Sequence, residues 1–135
     1  NATPEQQEAV KEYAVSLGIA FQIKDDILDY VGDEALGKPT GIDLKEHKIT
    51  LPLLCCFDDA AKEAEIRKMI SDIHNHPEYC EQIRTFVLEN RGVEKAGDIL
   101  ESYIRKSLDA LDVFPDGKEK EFLTRIAKYN TIRNS

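Results

Sequence analysis

An acidic stripe on an otherwise apolar segment is the feature that most restricts what this chain can form. The segment is GIAFQIKDDILDY, residues 18–30. On a helix, at about 100° per residue, Gln22, Asp25, Asp26 and Asp29 fall within roughly a third of the circumference. Most of the remaining circumference is apolar: Leu17, Ile19, Ala20, Phe21, Ile23, Ile27, Leu28 and Val31. We therefore expect a helix that is packed on most sides and open to water or a ligand only along the stripe.

The aspartates of this stripe have two interpretations. Like charges one turn apart destabilise an isolated helix by a few tenths of a kcal/mol, and a hard divalent cation such as Mg²⁺ would relieve that repulsion because it prefers carboxylate oxygens. The alternative is an ordinary solvated acidic face. Such a face normally has polar neighbours, whereas Ile19, Phe21 and Leu28 flank this one. Periodicity alone leaves both interpretations open.

The residues that follow make the pattern specific. FQIKDDILDY at 21–30, followed by GKPTGIDLKEHKITLPLL at 37–54, resembles the second aspartate-rich region of the trans-isoprenyl diphosphate synthases, the polyprenyl synthetase family. The C-terminal run FLTRIAKYNTIRNS also resembles the last helix of that family. A composite pattern of this length is far more specific than a DDxxD motif alone.

The resemblance implies a fold and a metal. In that family helices surround a deep cavity, and two aspartate-rich regions face each other across its mouth, where Mg²⁺ ions bridge them to an allylic diphosphate. At the matching positions of this chain, Asp25, Asp26 and Asp29 would be the catalytic metal ligands, with Asp25 the foremost. The expected fold class is all-α, the C-terminal part of the isoprenoid synthase fold.

The resemblance also implies residues that bind the diphosphate. Gln22 and Lys38 would contact the allylic diphosphate, Lys38 as part of the catalytic set, and Lys48 would assist. Lys38 stands between a glycine and a proline in a predicted loop over residues 32–48. Without the family pattern, an ordinary exposed lysine would be the simpler interpretation. His47 stands where the family most often has a small residue.

The implied reaction is a Mg²⁺-dependent head-to-tail condensation of an allylic diphosphate with isopentenyl diphosphate. The 135 residues contain neither a second DDxxD nor the upstream Arg and Lys residues that hold isopentenyl diphosphate in the family. We therefore expect the chain to be a C-terminal fragment of a prenyltransferase, inactive by itself. Family enzymes are usually homodimers, so we expect a homodimer of the complete enzyme.

Two other functions remain as alternatives. A class I terpene cyclase ionises the same substrates, but its Asn/Ser/Glu metal motif does not follow in register here. A non-catalytic helical partner subunit of a heteromeric prenyl synthase would keep the fold without the chemistry. The intact DDILD and the Gly-Lys pair favour the catalytic subunit.

Composition narrows the class of protein. A chain of 135 residues favours a single domain, 1–135, and the net charge of −8 without a Lys/Arg cluster argues against nucleic acid or an anionic membrane as partner. No apolar run approaches a transmembrane length, and no signal peptide is recognisable. We expect a cytoplasmic protein. Cys55, Cys56 and Cys80 lack metal-ligand spacing, which predicts free thiols in apolar surroundings.

The remaining pattern predicts a bundle of five or six helices. The first helix is expected at about residues 3–30, a second begins at residue 52, and a third begins after Asp58 and Asp59. Three more are expected at 77–90, 93–114 and 118–131, and Gly92 is expected to end the helix at 77–90. Residues predicted to pack inward include Val10, Tyr13, Leu17, Phe21 and Leu28 in the first helix and Phe122, Ile126 and Tyr129 in the last. His74 and His76 could bind a metal, but an exposed turn is the simpler interpretation.

Overall fold

A computed structural model describes residues 2–32 and 41–129. Every regular element within these ranges is helical, which confirms the all-α prediction. The helices are α1 Pro4–Val31, α2 Ile42–Lys45, α3 Leu51–Leu54, α4 Ala60–Ser71, α5 Glu78–Glu89, α6 Gly92–Ala110 and α7 Lys118–Tyr129, with a 3₁₀ turn at Leu111–Val113. The prediction of five or six helices missed the single turn α2.

Local sequence signals set several helix ends. The Thr3 amide donates to Oε1 of Gln6 (3.0 Å) and the Gln6 amide donates to Oγ1 of Thr3 (3.1 Å), which is the capping box expected at the start of α1. Asp59 caps α4 by accepting the Ala61 amide at 3.0 Å, as the Asp58-Asp59 pair suggested. Gly32, with φ of 78°, follows the end of α1.

The prediction that Gly92 ends a helix is wrong. Asn90 is the C-cap of α5, and Arg91 takes the left-handed conformation with φ of 60°. Gly92 opens α6 instead. A Cβ atom at this position would run into the carbonyl oxygen of Pro52 and lie 2.7 Å from Sγ of Cys56. Glycine is therefore required by close packing between neighbouring elements and not by helix termination.

The chain divides into two compact units. We call residues 25–96 the central unit and residues 2–24 with 97–129 the terminal unit. Helices α1 and α6 each contribute residues to both units. The prediction of a single domain over 1–135 stays a prediction. No described helix is both long and apolar enough to cross a membrane.

The central unit has a continuous apolar core. Its buried members come from helices α1 to α5 and from the turns after α3 and α4, and they are Tyr30, Leu44, Leu53, Cys56, Ile66, Ile70, Ile73, Ile83 and Val87. All three cysteines are free thiols, as expected, with Cys56 buried and the other two half-buried. Burial raises the pKa of each thiol. They are therefore protonated, apolar packing groups near neutral pH.

The terminal unit packs differently from the prediction. On α1 the buried face is Ala9, Tyr13, Ser16, Leu17, Ala20 and Ile23. This face leaves Val10 and Phe21 exposed by 45% and 50%, so their predicted inward packing is wrong. The hydroxyl of Tyr13 on α1 donates to the carbonyl oxygen of Leu123 on α7 at 2.8 Å.

Helix α7 also presents a different face from the predicted one. Ala127 is buried, whereas Phe122 and Tyr129 are 62% and 78% exposed. The prediction that Phe122 and Tyr129 pack inward is therefore wrong. The contact of Tyr13 with Leu123 turns the Leu123 and Ala127 side of α7 toward α1, and the aromatic residues then face outward.

Candidate active site

The aspartates of the stripe differ in exposure along the last two turns of α1. Asp25 is exposed, Asp26 is half-buried and Asp29 is only 4% exposed. Ile23, before the aspartates, and Ile27, among them, are both buried. The stripe that the periodicity predicted as one face therefore begins at the surface and ends inside the central unit.

Asp29 is held by the backbone of residues 41–43. Its Oδ1 accepts the Ile42 amide at 3.1 Å and its Oδ2 accepts the Asp43 amide at 3.3 Å. Its own carbonyl oxygen accepts the Gly41 amide at 2.9 Å. Gly41 has φ of 77°, a conformation that glycine adopts without strain. Both carboxylate oxygens of Asp29 therefore bind the first turn of α2.

Negative charge accumulates around this turn. Burial, followed by the nearby carboxylate of Asp29, raises the pKa of the Asp43 carboxyl, and Lys48 acts in the opposite direction. Burial and the Asp29 charge also raise the pKa of the Tyr30 hydroxyl. The Asp29 carboxylate therefore adds to the negative charge that both Asp43 and Tyr30 experience.

The residues predicted to bind diphosphate are described only in part. Gln22 is exposed on α1, and Lys48 is exposed with Nζ 3.4 Å from a carboxylate oxygen of Glu46. The Lys48 amide donates to the Asp43 carbonyl oxygen at 2.8 Å, after His47 takes a left-handed conformation with φ of 63°. Lys38 lies outside the described residues. The predicted loop over 32–48 is interrupted by α2, which carries the backbone toward Lys48.

No preassembled cluster of metal ligands is present in the part of the chain that the structure describes. No three His, Cys, Asp or Glu side chains there form a group that could hold an ion. His74 is exposed and His76 is half-buried, and the His76 ring lies 3.3 Å from Asp72 and 3.2 Å from Glu78. On the aspartate stripe, the carboxylate of Asp29 engages α2, which leaves Asp25 and Asp26 as the more accessible pair.

Sequence reasoning missed one residue that supports this site. Nε of Arg84, on α5, donates to the Tyr30 carbonyl oxygen at 2.6 Å. Tyr30 follows Asp29 directly and is 2% exposed. An arginine on an amphipathic helix gives no sequence signal for such a contact, because its acceptor is a backbone carbonyl 54 residues away.

The comparison with protein families decides the identity of the chain. A model of the polyprenyl synthetase family, described as "Polyprenyl synthetase", matches residues 1–87. The chain belongs to the polyprenyl synthetase family. This confirms the resemblance seen in the sequence, and the match contains the whole aspartate stripe, Lys48 and Arg84.

Similar proteins include several polyprenyl synthetases with a function in their names. The octaprenyl diphosphate synthase of Haemophilus influenzae is 33% identical over 98% of this chain and 41% of its own length. Component 2 of the heptaprenyl diphosphate synthase of Bacillus subtilis is 31% identical over 90% of this chain and 35% of its own length. This chain therefore spans about two fifths or less of these relatives.

A solved structure gives the same picture of the fold. The polyprenyl synthase of Caulobacter crescentus, in complex with calcium and isoprenyl diphosphate, is 31% identical and matches with a TM-score of 0.84. The match covers 99% of this chain and 42% of the other. The helical arrangement described above is thus the one found in a portion of a polyprenyl synthase.

Proposed function

We propose that this polyprenyl synthetase acts as a trans-prenyltransferase that joins an allylic diphosphate head-to-tail to isopentenyl diphosphate. By the full-length enzyme we mean a chain that also carries the family's first aspartate-rich region. The observation that supports the proposal best is the pair Asp25 and Asp26, which lie at the accessible end of a stripe whose apolar neighbours Ile23 and Ile27 are buried. Because the chain belongs to the polyprenyl synthetase family, we assign this pair to metal binding.

Asp25 and Asp26 suit Mg²⁺. This ion prefers oxygen ligands and is commonly bound through one or two carboxylates, with substrate phosphates and water completing its shell. Asp25, which is exposed, and Asp26, which is half-buried, supply two adjacent carboxylates of this kind. The metal supplies positive charge that stabilises the departing diphosphate. A related synthase that was solved with calcium and isoprenyl diphosphate supports a divalent ion in this role.

Gln22, Lys38 and Lys48 are proposed to hold the allylic diphosphate. Lysine ammonium groups neutralise phosphate oxygens, and the Gln22 amide can donate a hydrogen bond to one of them. Fixed positive charge that faces the leaving group lowers the barrier to ionisation, a contribution that is often the largest in catalysis. We place Asp25 and Asp26 on the metal and these three residues on the diphosphate.

The decisive test is substitution of Asp25 in the full-length enzyme. Asp25→Asn should lower turnover about 10²–10³-fold, the usual cost of one preorganised electrostatic group, and should raise the Mg²⁺ concentration needed for half-maximal rate. The matched control is Asp109→Asn, an exposed aspartate on α6. Incorporation of labelled isopentenyl diphosphate measures the rate. A near-normal rate and an unchanged Mg²⁺ requirement in Asp25→Asn would contradict the metal role.

The 135 residues alone are proposed to lack prenyl transfer. Mg²⁺ gives up its water reluctantly, so two carboxylates without a facing acidic region should bind it weakly. Correct placement of both substrates can account for about 7–11 kcal/mol of a barrier, and this chain lacks the family's residues for isopentenyl diphosphate. The test incubates the purified chain with Mg²⁺, farnesyl diphosphate and labelled isopentenyl diphosphate. Longer extractable product above the no-protein control would refute this statement.

A partner-subunit role is the second candidate. It is favoured by the Bacillus subtilis relative, which is named as one component of a synthase. Under this candidate the full-length protein would condense substrates only after addition of an unlike subunit. We favour the catalytic role because the accessible Asp25 and Asp26 are intact, and we propose that the complete enzyme is a homodimer. Activity of the purified full-length protein, together with its mass by analytical ultracentrifugation, separates the two.

A further inference from the structure

We propose that Asp29 is a positioning residue, which fixes the backbone between Gly41 and Lys48, and not a metal ligand. The inference rests on the proposed function, because it assigns a role within the same site. It divides the stripe into two parts that the sequence pattern treats as one. Asp25 and Asp26 bind the ion, and Asp29 holds the segment that presents Lys48.

The first argument is the set of hydrogen bonds that Asp29 accepts. Three consecutive amides, those of Gly41, Ile42 and Asp43, donate to its carbonyl oxygen, Oδ1 and Oδ2 at 2.9, 3.1 and 3.3 Å. Gly41 and Ile42 are therefore hydrogen-bonded to a residue of α1 that lies more than ten positions earlier in the sequence. A carboxylate that accepts two backbone amides, one on each oxygen, is fixed in orientation.

The second argument is accessibility. Asp29 is 4% exposed, whereas Asp25 is exposed. Mg²⁺ retains several water molecules and a substrate phosphate in its shell, and this arrangement needs open space around the carboxylate that binds it. A buried, doubly hydrogen-bonded carboxylate is suited to holding polypeptide in place.

The third argument is that the segment held by Asp29 is connected to Lys48. Leu44 is 1% exposed and belongs to the same apolar core as Tyr30, so α2 is fixed on a second side. The Asp43 carbonyl oxygen then accepts the Lys48 amide at 2.8 Å. Contacts therefore run from Asp29 through the backbone of Asp43 to Lys48. Loosening the first contact should change where the Lys48 ammonium lies.

The test compares Asp29→Asn with Asp25→Asn in the full-length enzyme. Asparagine has nearly the same shape, but its amide group offers one acceptor and places an N–H₂ against the second backbone amide. We expect Asp29→Asn to raise KM for the allylic diphosphate about tenfold, the effect of roughly one lost hydrogen bond. We expect kcat to fall less than about threefold and half-saturating Mg²⁺ to stay unchanged, in contrast to Asp25→Asn.

Amide hydrogen exchange supplies a readout that is independent of turnover. In Asp29→Asn the amides of Ile42 and Asp43 should exchange faster, while those of Ile83 and Val87 in the core should not change. A rise in half-saturating Mg²⁺ as large as that of Asp25→Asn, with the exchange of Ile42 and Asp43 unaltered, would overturn the proposal.

Two controls keep the outcomes separate. If the wild-type enzyme shows no Mg²⁺-dependent condensation, the proposed function fails, whereas the exchange measurement still decides whether Asp29 holds α2. If Asp29→Asn does not fold, exchange is measured in the wild-type enzyme with and without Mg²⁺ and inorganic pyrophosphate. Protection of Ile42 and Asp43 that is present in metal-free protein and equal in both conditions supports the positioning role. Protection that develops only with Mg²⁺ contradicts it.

Discussion

The central and terminal units handle their apolar residues in different ways. The central unit buries nine residues in one cluster, among them Leu53, Ile83 and Val87 with no exposed surface. The terminal unit leaves Phe21, Phe122 and Tyr129 at least half exposed. The difference shows that apolar residues at helical spacing can end in a closed core or in an open apolar surface.

The open surface of the terminal unit is a defined depression. Phe21 of α1 and Phe122, Arg125, Ile126 and Tyr129 of α7 line a cavity of about 330 Å³. The Lys24 ammonium lies 5.7 Å from the centre of the Tyr129 ring, close enough for a cation–π contact. Substitutions in this surface should cost little folding energy, whereas substitutions in the central core should cost much.

The largest expected effect is truncation within the central core. Ile83→Ala should lower the free energy of unfolding by about 2–5 kcal/mol, because it removes buried methyl groups and leaves a cavity. Its matched substitution in the terminal unit is Phe122→Ala, which removes a side chain that is 62% exposed and should cost no more than about 0.5 kcal/mol. Urea denaturation followed by circular dichroism measures both. Equal losses would remove the distinction between the units.

A smaller effect is expected from adding one methyl group. Gly92→Ala should destabilise by about 1–3 kcal/mol through overpacking, since its Cβ would meet the Pro52 carbonyl and Cys56. Gly18→Ala is the control, because no described atom lies within 4 Å of a Cβ at that position on α1. It should stabilise by about 0.5–1 kcal/mol through helix propensity. Thermal unfolding midpoints of the two variants should move in opposite directions.

The next smaller loss of stability is expected when the Arg84 contact is removed. Arg84→Ala leaves the buried Tyr30 carbonyl without its 2.6 Å donor and should cost about 1–2 kcal/mol. Arg125→Ala in the terminal unit removes an exposed pair with Glu121, worth at most a few tenths of a kcal/mol. Chemical denaturation distinguishes the two. An Arg125 variant as unstable as the Arg84 variant would show that exposure does not predict the cost here.

The smallest change in stability is expected when the open surface is made polar. Phe21→Ser combined with Phe122→Ser should change the free energy of unfolding by less than about 1 kcal/mol, since both residues are at least half exposed. The same double variant should self-associate less, because exposed apolar patches favour association. Sedimentation velocity over a range of concentrations checks this. If the double variant self-associates as strongly as the unmodified chain, the surface that mediates association lies elsewhere.

Several features of this protein follow from the sequence by itself. The capping box of Thr3 and Gln6 and the cap at Asp59 are local, because each bond joins residues two or three positions apart. The all-α class follows from the 3.6-residue period, and the family follows from the motifs at 21–54. The period also places Asp25, Asp26 and Asp29 on one stripe.

Only the tertiary structure decided what that stripe does at each end. Periodicity places a residue on an arc of its helix, but the neighbour that covers the arc comes from elsewhere in the chain. Asp29 is buried because amides 13 and 14 residues later reach its carboxylate. Phe122 faces outward because α7 meets Tyr13 through a hydrogen bond that spans 110 residues. Such pairings depend on how the whole chain packs, and no local pattern encodes them.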